Sequence, residues 1–242
     1  MRLGVLQHLA ADTVHSLRRV GLPVTVQIIA SSLRDVAFDR TYGTDTAGYA
    51  DPRVYASDDP RARRATFYVP TRARPFRDFL AWSGVPPTGT FVDFGCGKGR
   101  ALFVAAQHGF RRAVGVELSP RFCRAAEHNL ARLQAHVAAT QFRVICDDAG
   151  NYAVAPDDRV FYFYDPFDDA LIERCLQRIA ASLAAVPRPV YVIYHNNIAV
   201  RPTPFDAQVW LRETPTPRFA GNAFYLYRHD PAAAPRAEAP CS

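Results

Sequence analysis

A glycine-rich turn, Asp93-Phe94-Gly95-Cys96-Gly97-Lys98-Gly99, lies between a short β-rich run and a helical pattern. Glycine can adopt positive φ and, because it has no Cβ, lets a ligand approach the backbone closely. The amide groups that begin the next helix would face that ligand. The turn therefore predicts a ligand site after the first strand, although glycine clusters also occur in ordinary tight turns.

The spacing of the glycines disfavours two common nucleotide sites. A dinucleotide fingerprint needs G-x-G-x-x-G, whereas the third glycine here comes one residue early and Arg100 follows it. A Walker phosphate loop is excluded because Val92 occupies the position of its first glycine. An NAD-dependent oxidoreductase is the rival enzyme class. It is disfavoured further because Lys98 is the only lysine, so no Tyr-x-x-x-Lys pair exists.

Two acidic residues accompany the turn. Asp93 lies inside the end of the first strand, just before the turn, where its carboxylate could accept a hydrogen bond from an ammonium group or a bound water. Glu117 closes the second strand 24 residues later, where an acid accepts both ribose hydroxyls of an adenosine ligand. The alternative is that both acids only cap the adjoining turns. Taken together, their positions predict a nucleoside cofactor.

The sequence around the turn resembles a known family. The stretch Phe91-Val-Asp-Phe-Gly-Cys-Gly-Lys-Gly-Arg100, followed by Ala113-Val-Gly-Val-Glu-Leu-Ser119, is similar to class I S-adenosylmethionine (SAM)-dependent methyltransferases. It is most similar to a bacterial branch whose first motif reads VDFGCGKGR. The resemblance extends over residues 65–227 and implies a Rossmann-like fold, SAM as the cofactor and methyl transfer as the activity.

By this resemblance, the residues of the turn surround the methionine part of SAM, and Glu117 binds its ribose. Either Asp147 or Asp148 binds the adenine amino group, since Cys146 and Asp147 differ from the family's usual G-D-A pattern. The upstream segment Tyr68-Val-Pro-Thr71 is expected to complete the site. The predicted cofactor-binding residues are Tyr68, Thr71, Asp93, Gly95, Cys96, Gly97, Glu117, Asp147 and Asp148.

The end of the fourth strand supplies the predicted reaction side. Asp165-Pro166-Phe167 resembles the (N/D)-P-P-(Y/F) motif of amino-methylating enzymes, with one proline instead of two. The resemblance implies that Asp165 and a backbone carbonyl accept hydrogen bonds from a target nitrogen, while Phe167 packs against a flat substrate. The alternative is that Asp165 is the N-cap of the next helix. His195, in a predicted loop at the end of the fifth strand, is either a general base or a structural residue.

Two segments upstream of the first strand have alternative interpretations. Phe38–Thr46 concentrates polar and turn residues, and with Tyr68–Thr71 it is either a lid over the cofactor or a surface loop. Arg61–Arg64 lies near aromatic residues and further arginines. This pattern is typical of a surface for an anionic or nucleic-acid substrate, or of a solvated basic face.

A regular alternation of strands and helices must position these residues. The pattern predicts parallel strands at Thr90–Phe94, Arg112–Val116, Gln141–Cys146, Val160–Tyr164 and Pro189–Tyr194. It predicts helices at Thr71–Trp82, Lys98–His108, Pro120–Val137 and Asp168–Ala185. Two final strands, Gln208–Arg212 and Ala223–Tyr227, suit an antiparallel hairpin at one edge. The predicted fold is therefore α/β and Rossmann-like, with a seven-stranded, mostly parallel sheet.

The remaining sequence is divided into three regions. Residues 1–64 are a predicted N-terminal helical extension, with two short helices in the first forty residues and a long loop from Phe38 to Arg64, the possible lid. Residues 65–230 are the methyltransferase domain. Residues 231–242, rich in alanine and proline, are expected to be a disordered tail.

Composition limits the functional classes. Five scattered cysteines without a C-x-x-C pair predict neither a metal site nor a disulfide framework, and favour a cytoplasmic protein. The longest apolar stretch, residues 21–33, is too short and too polar to span a membrane. The predicted function is SAM-dependent methyl transfer to a nitrogen or oxygen of an unidentified acceptor, with a small molecule favoured. Protein lysine, RNA and a non-catalytic SAM-binding module are the alternatives.

Overall fold

A seven-stranded sheet forms the centre of the computed structural model, which describes residues 33–48, 60–61, 66, 68–196 and 203–232. The strand order is β3-β2-β1-β4-β5-β7-β6. The strands are β1 Thr90–Phe94, β2 Arg112–Glu117, β3 Gln141–Cys146, β4 Asp158–Tyr164, β5 Val190–Asn196, β6 Arg212–Thr214 and β7 Ala223–His229. Strands β1 to β5 are parallel, whereas β7 runs antiparallel to both β5 and β6. The predicted parallel sheet with an antiparallel edge hairpin is confirmed.

Helices cover both faces of the sheet. They are α1 (33–42), α2 Ala73–Ser83, α3 Arg100–His108, α4 Pro120–Leu133, α5 Asp169–Ala185 and the single turn α6 Thr203–Asp206. The residues that end or begin them are those that favour such positions. Gly84 ends α2 with a left-handed φ of 64°. Ser119 caps α4, where its hydroxyl accepts a hydrogen bond from Phe122 N at 3.4 Å and Pro120 takes the first position.

The two faces of the sheet have separate apolar cores. Phe161 and Phe163 of β4 face α5, while Tyr162 between them faces α2, where it stacks on Phe76 with ring centroids 4.5 Å apart. Residues of central strands are buried on both sides, as expected for a parallel sheet covered by helices. This arrangement brings the carboxyl ends of β1, β2, β3 and β4 to one edge, where ligands bind in open α/β sheets.

Several predicted boundaries are wrong. Of the predicted strand Gln208–Arg212, only Arg212 lies in β6, because Gln208 N and Leu211 N close turns on Phe205 O and Gln208 O at 3.2 and 3.1 Å. The predicted helix Pro120–Val137 is too long, because α4 ends at Leu133 and the 3-10 turn Gln134–His136 follows it.

The predicted loop after Phe38 begins later than expected. Residues 38–42 belong to α1, where Tyr42 packs its ring against both Phe38 and Phe103 at 4.7 and 4.9 Å. The helices predicted over residues 1–32 lie outside the described residues, as does nearly all of the predicted tail.

Candidate functional site

A pocket opens where β1, β2 and β4 end, beside the loop that follows β3. All nine predicted cofactor-binding residues line it: Tyr68, Thr71, Asp93, Gly95, Cys96, Gly97, Glu117, Asp147 and Asp148. Pro166 and Phe167 line it too, whereas Asp165 and His195 are not part of its wall. The fold therefore brings the predicted cofactor residues together, and only half of the predicted catalytic ones join them.

The glycine turn lies directly against the side chains of two other pocket residues, Pro166 and Tyr68. Gly95 and Gly97 have φ of 81° and 53°. A Cβ on Gly95 would lie 2.6 Å from Pro166 Cβ, and one on Gly97 would lie 2.3 Å from Cε2 of Tyr68. The glycines thus permit both a left-handed backbone and a close approach of two pocket residues.

The Glu117 carboxylate joins the glycine turn to the loop after β2. Its Oε2 accepts a hydrogen bond from Gly97 N, and its Oε1 accepts one from Ser119 N, both at 2.9 Å. Burial raises the pKa of Glu117, and these backbone hydrogen bonds oppose that effect. Since a carboxylate can accept about four hydrogen bonds, each oxygen retains capacity for a hydroxyl in the pocket.

Asp93 is a buried acid at the base of the pocket. Its exposure is 3%, and within the described residues its carboxylate accepts no hydrogen bond. Burial raises the pKa of Asp93 well above its ordinary value, and the nearby Glu117 raises it further. A buried carboxylate without a donor fits a cationic group in the pocket, because such a group would supply the missing charge and hydrogen bond.

Two consecutive acids follow β3. Asp148 is buried and its Oδ1 accepts a hydrogen bond from Gly150 N at 2.8 Å, which caps the 3-10 turn Ala149–Asn151. Asp147 is exposed, and its Oδ1 accepts from Asp148 N at 2.7 Å and from Asn151 Nδ2 at 3.1 Å. Both acids border the pocket. Asp148 is the buried one of the two.

Asp165 has an unusual backbone conformation for a residue other than glycine, with a φ of 39°. Its Oδ1 accepts a hydrogen bond from the Tyr194 hydroxyl at 2.9 Å, and its carbonyl accepts one from the Thr66 hydroxyl. The alternative that Asp165 caps the next helix is wrong. Asp168 is the N-cap, since its Oδ1 accepts from Leu171 N at 2.9 Å.

His195 lies inside β5, so its predicted placement in a loop is wrong. The imidazole is fully buried and stacked between Tyr164 and Phe224, with centroid distances of 4.0 and 4.2 Å. It forms hydrogen bonds with the Tyr162 hydroxyl and Asn222 Oδ1. Burial lowers the pKa of His195 to about 3. The structure therefore places His195 in the core, behind the pocket, where it does not face a nucleophile.

The predicted lid segment supports the pocket from behind. The carbonyl of Thr46 accepts a hydrogen bond from the Tyr68 hydroxyl at 2.6 Å, and the hydroxyl of Thr46 accepts one from Arg100 Nε at 2.8 Å. Arg100 is buried and also pairs with Asp35. None of the described residues 38–48 lines the pocket. Arg100 was not predicted from the sequence. The signal that could have identified it is an arginine at the start of a buried helix, with two acids, Asp35 and Asp39, upstream.

The predicted basic segment is described only in part. Arg61 lines the pocket, is half-exposed and lies 3.9 Å from Asp147 Oδ1, whereas residues 62–64 lie outside the described residues. Arg74 and Arg77 are exposed on α2. Across the described ranges, no cluster of three or more His, Cys, Asp or Glu could hold a metal ion. The helices of that same part of the chain include none with the length and hydropathy of a membrane span.

Comparison with known proteins gives one family match. Residues 91–185 match a family model described as a methyltransferase domain. No curated protein matches the chain. The match confirms the predicted fold class and enzyme class and agrees with the predicted cofactor, while the bacterial branch stays a prediction.

Several solved structures show a limited similarity. An RNA methyltransferase from Salinibacter ruber is 20% identical, with a TM-score of 0.47, over 70% of this chain and 98% of that one. A magnesium protoporphyrin IX methyltransferase from Synechocystis is 14% identical, with a TM-score of 0.45, over 65% and 79%. A phosphoethanolamine N-methyltransferase from Haemonchus contortus is 16% identical, with a TM-score of 0.40, over 54% and 27%. These values are too low to carry a conclusion about this chain.

The family match includes β1 from Phe91 onward, β2 to β4, the glycine turn, both acids that accompany it and all of α5. These are the elements that form most of the pocket wall. Residues 91–185 therefore match a methyltransferase domain, and the sheet that contains them has a Rossmann-like fold.

Proposed function

We propose that this methyltransferase transfers the methyl group of SAM to a nitrogen or oxygen of a small-molecule acceptor, using the pocket around the glycine turn. The observation that carries the proposal is the placement of two pocket-lining carboxylates beside that turn. Asp93 is buried without a donor among the described residues, and Glu117 holds Gly97 N while retaining capacity for hydroxyl groups. A ligand with a cationic end and a ribose would satisfy both acids.

The chain's own residues would hold the cofactor in a defined direction. Asp93 would bind the ammonium group, Glu117 the two ribose hydroxyls, and Asp148 the adenine amino group. Tyr68 would cover the methionine part, since its ring already lies on Gly97. When bound, SAM supplies an electrophilic methyl group, so the protein mainly has to align it and exclude water.

Asp165, Pro166 and Phe167 would orient the acceptor beside that methyl group. One oxygen of Asp165 is held by Tyr194, which fixes the carboxylate, and the other could accept an N–H or O–H of the acceptor. Pro166 packs on Gly95, so the segment that would orient the acceptor lies directly against the glycine turn. His195 has no part in this proposal as a general base, because its imidazole is fully buried and enclosed between Tyr164 and Phe224.

Calorimetry with SAM tests the cofactor assignments. Asp93→Ala and Glu117→Ala should each weaken SAM binding, whereas Glu127→Ala, an exposed acid on α4, should leave it unchanged. NAD is the comparison ligand, and tight NAD binding without SAM binding would contradict the proposal. Unchanged SAM affinity in both pocket variants would remove the site assignment.

A screen with radiolabelled SAM against metabolite, protein and RNA fractions of the source cell tests the acceptor. Label in the metabolite fraction is the expected result. Label in protein would favour lysine as the acceptor, and label in RNA would favour a nucleotide. A chain that binds SAM and labels no fraction would be a non-catalytic SAM-binding module.

A further inference from the structure

Four polar side chains form a continuous line through the core, from the turn before β7 to the pocket. Asn222 Oδ1 lies 3.2 Å from His195 Nε2, and the Tyr162 hydroxyl lies 2.8 Å from His195 Nδ1. The Thr71 hydroxyl lies 3.3 Å from that of Tyr162. All four residues are at most 6% exposed, and Thr71 alone of the four lines the pocket. Polar atoms this deeply buried must satisfy one another.

The direction of the hydrogen bonds is set at Asn222. Its Nδ2 donates to the carbonyls of Phe219 and Ala220 at 3.0 and 3.1 Å, so its Oδ1 must face His195. An amide oxygen only accepts, so His195 Nε2 carries a proton. Since burial lowers the pKa of His195 to about 3, the ring is neutral and Nδ1 carries none. Nδ1 therefore accepts the hydrogen bond from Tyr162.

The Tyr162 hydroxyl thus donates its hydrogen bond to His195 Nδ1. Its oxygen can therefore only accept a hydrogen bond from the Thr71 hydroxyl. The Thr71 hydroxyl then points its proton away from the pocket and its lone pairs toward it. Asp93 is the register partner of Tyr162 across β1 and β4, which places the carboxylate beside this line. Once Asp93 is ionised, the two pocket-facing groups at this place are both acceptors.

We propose that Asn222, His195 and Tyr162 are positioning residues that make Thr71 an obligatory hydrogen-bond acceptor, which receives an N–H of the cofactor's ammonium group beside Asp93. The inference rests on the proposed orientation of SAM. It adds that the direction of these hydrogen bonds in the core lets the pocket distinguish a ligand with an ammonium group from one without it. A purely structural role for the three residues would not affect that distinction.

Calorimetry with two ligands separates these roles. SAM carries the ammonium group, and 5′-methylthioadenosine shares the nucleoside but lacks the amino-acid part. Tyr162→Phe should weaken SAM binding about tenfold, as expected for one hydrogen bond to a charged group. It should leave the affinity for 5′-methylthioadenosine within about twofold. Tyr227→Phe is the matched control, because that buried hydroxyl bonds Asp206 at 3.2 Å and is not part of the pocket wall.

Affinities for both ligands that fall together in Tyr162→Phe, or that both stay unchanged, would overturn the inference. Nitrogen-15 NMR of the imidazole in the ligand-free protein tests it without a variant. The expected spectrum shows His195 with a protonated Nε2 and a bare Nδ1, and a protonated Nδ1 would overturn the proposal. A wild-type protein that shows this tautomer and does not bind SAM would contradict the proposed cofactor orientation while leaving the proton order in the core intact.

Discussion

Tyr68 and Gly97 are in such close contact that a Cβ on Gly97 would lie 2.3 Å from Cε2 of the tyrosine ring. The hydroxyl at the far end of the same ring donates to Thr46 O at 2.6 Å. One side chain therefore links the N-terminal segment to the glycine turn. Any change in the turn that displaces the ring should also disturb the segment behind it.

Gly97→Ala should weaken SAM binding by at least about tenfold, because the added methyl group must displace the Tyr68 ring from the pocket wall. Isothermal calorimetry measures the effect. Gly84→Ala is a matched control, since Gly84 has a similar positive φ of 64° with nothing within 4 Å of an added Cβ. That control should lose about 1 kcal/mol of stability and keep its SAM affinity. An equal loss of SAM affinity in both variants would mean that backbone strain alone causes the effect.

Asp39→Ala should loosen the segment that supports Tyr68. The Asp39 carboxylate accepts hydrogen bonds from Thr44 Oγ1 at 2.7 Å, from Thr46 N at 2.9 Å and from Ala47 N at 2.6 Å. Burial opposes ionisation, yet these hydrogen bonds prevail and lower the pKa of Asp39. We expect a loss of about 2 kcal/mol in the free energy of unfolding at pH 7.

The pH dependence of this effect has a definite sign. An acid whose pKa is lower in the folded state stabilises the fold above the unfolded pKa near 3.9, and that contribution is lost as pH falls through the folded pKa. Urea unfolding of wild type and Asp39→Ala should therefore converge at acidic pH. A difference between them that stays constant from pH 7 to pH 3 would contradict the assigned role.

Asp93→Asn should change how SAM binding depends on protons. Because burial and Glu117 raise the pKa of Asp93, the ligand-free protein holds a proton there up to a higher pH than an ordinary carboxyl does, and an ammonium group favours the ionised form. SAM binding should therefore release protons from wild type and fewer from Asp93→Asn. Calorimetry in two buffers of different ionisation enthalpy measures the number released. Equal release from both proteins would show that Asp93 does not bind the cation.

Asp93 also affects the stability of the ligand-free protein. The folded state holds a proton that the unfolded chain releases, so the free energy of unfolding falls as pH rises from about 3.9 to the raised pKa. Asp93→Asn should flatten that slope. Asp157→Asn, which changes a partly exposed acid paired with Arg112, is the control that should retain it.

Much of the fold was predictable from short sequence signals. The range Gln141–Cys146 is the observed strand β3, and Gly84 ends α2 as predicted, because β-rich runs and helix-stop glycines act within a few residues. The meeting of most predicted cofactor residues in one pocket has a related reason. Apart from Tyr68 and Thr71, they stand at or just after the ends of consecutive strands, and a parallel sheet brings those ends to one edge.

The errors arose where the outcome depends on contacts distant in sequence. His195 is buried because Tyr164 and Phe224 enclose it from the neighbouring strands, and the residues around it in sequence do not indicate that. Asp165 and Asp168 are both plausible helix caps by residue type. The backbone conformation decides between them, because Asp165 has a φ of 39° and its carboxylate is held by Tyr194.

Asp165→Asn should separate methyl transfer from cofactor binding. Asparagine tolerates the left-handed φ at this position, so the fold should be retained while the carboxylate is removed. We expect SAM affinity within about twofold of wild type and at least about a tenfold loss of methyl transfer. The assay measures label transferred from SAM to the fraction that the screen identifies. A parallel loss of SAM affinity would instead assign Asp165 to the structure of the cofactor site.

His195→Ala should act on stability and not on the methyl-transfer step itself. The imidazole is fully buried between two rings, and its removal leaves a cavity and an unpaired Tyr162 hydroxyl. We expect a loss of about 3 kcal/mol in the free energy of unfolding at pH 7. His128→Ala, on the exposed face of α4, should cost less than about 0.5 kcal/mol. A general base would behave differently, because its removal lowers the rate about 10²–10⁴-fold in a protein of unchanged stability.

The pH dependence separates the two roles of His195 most sharply. Because its folded pKa is about 3, the unfolded chain takes up a proton below about pH 6.5 that the folded protein cannot bind. Wild type therefore loses stability as pH falls from 6.5, and His195→Ala lacks this loss. The stability difference between the two proteins should shrink by about 2 kcal/mol between pH 7 and pH 5. A difference that stays constant would mean that His195 titrates normally and is accessible to solvent, as a general base would be.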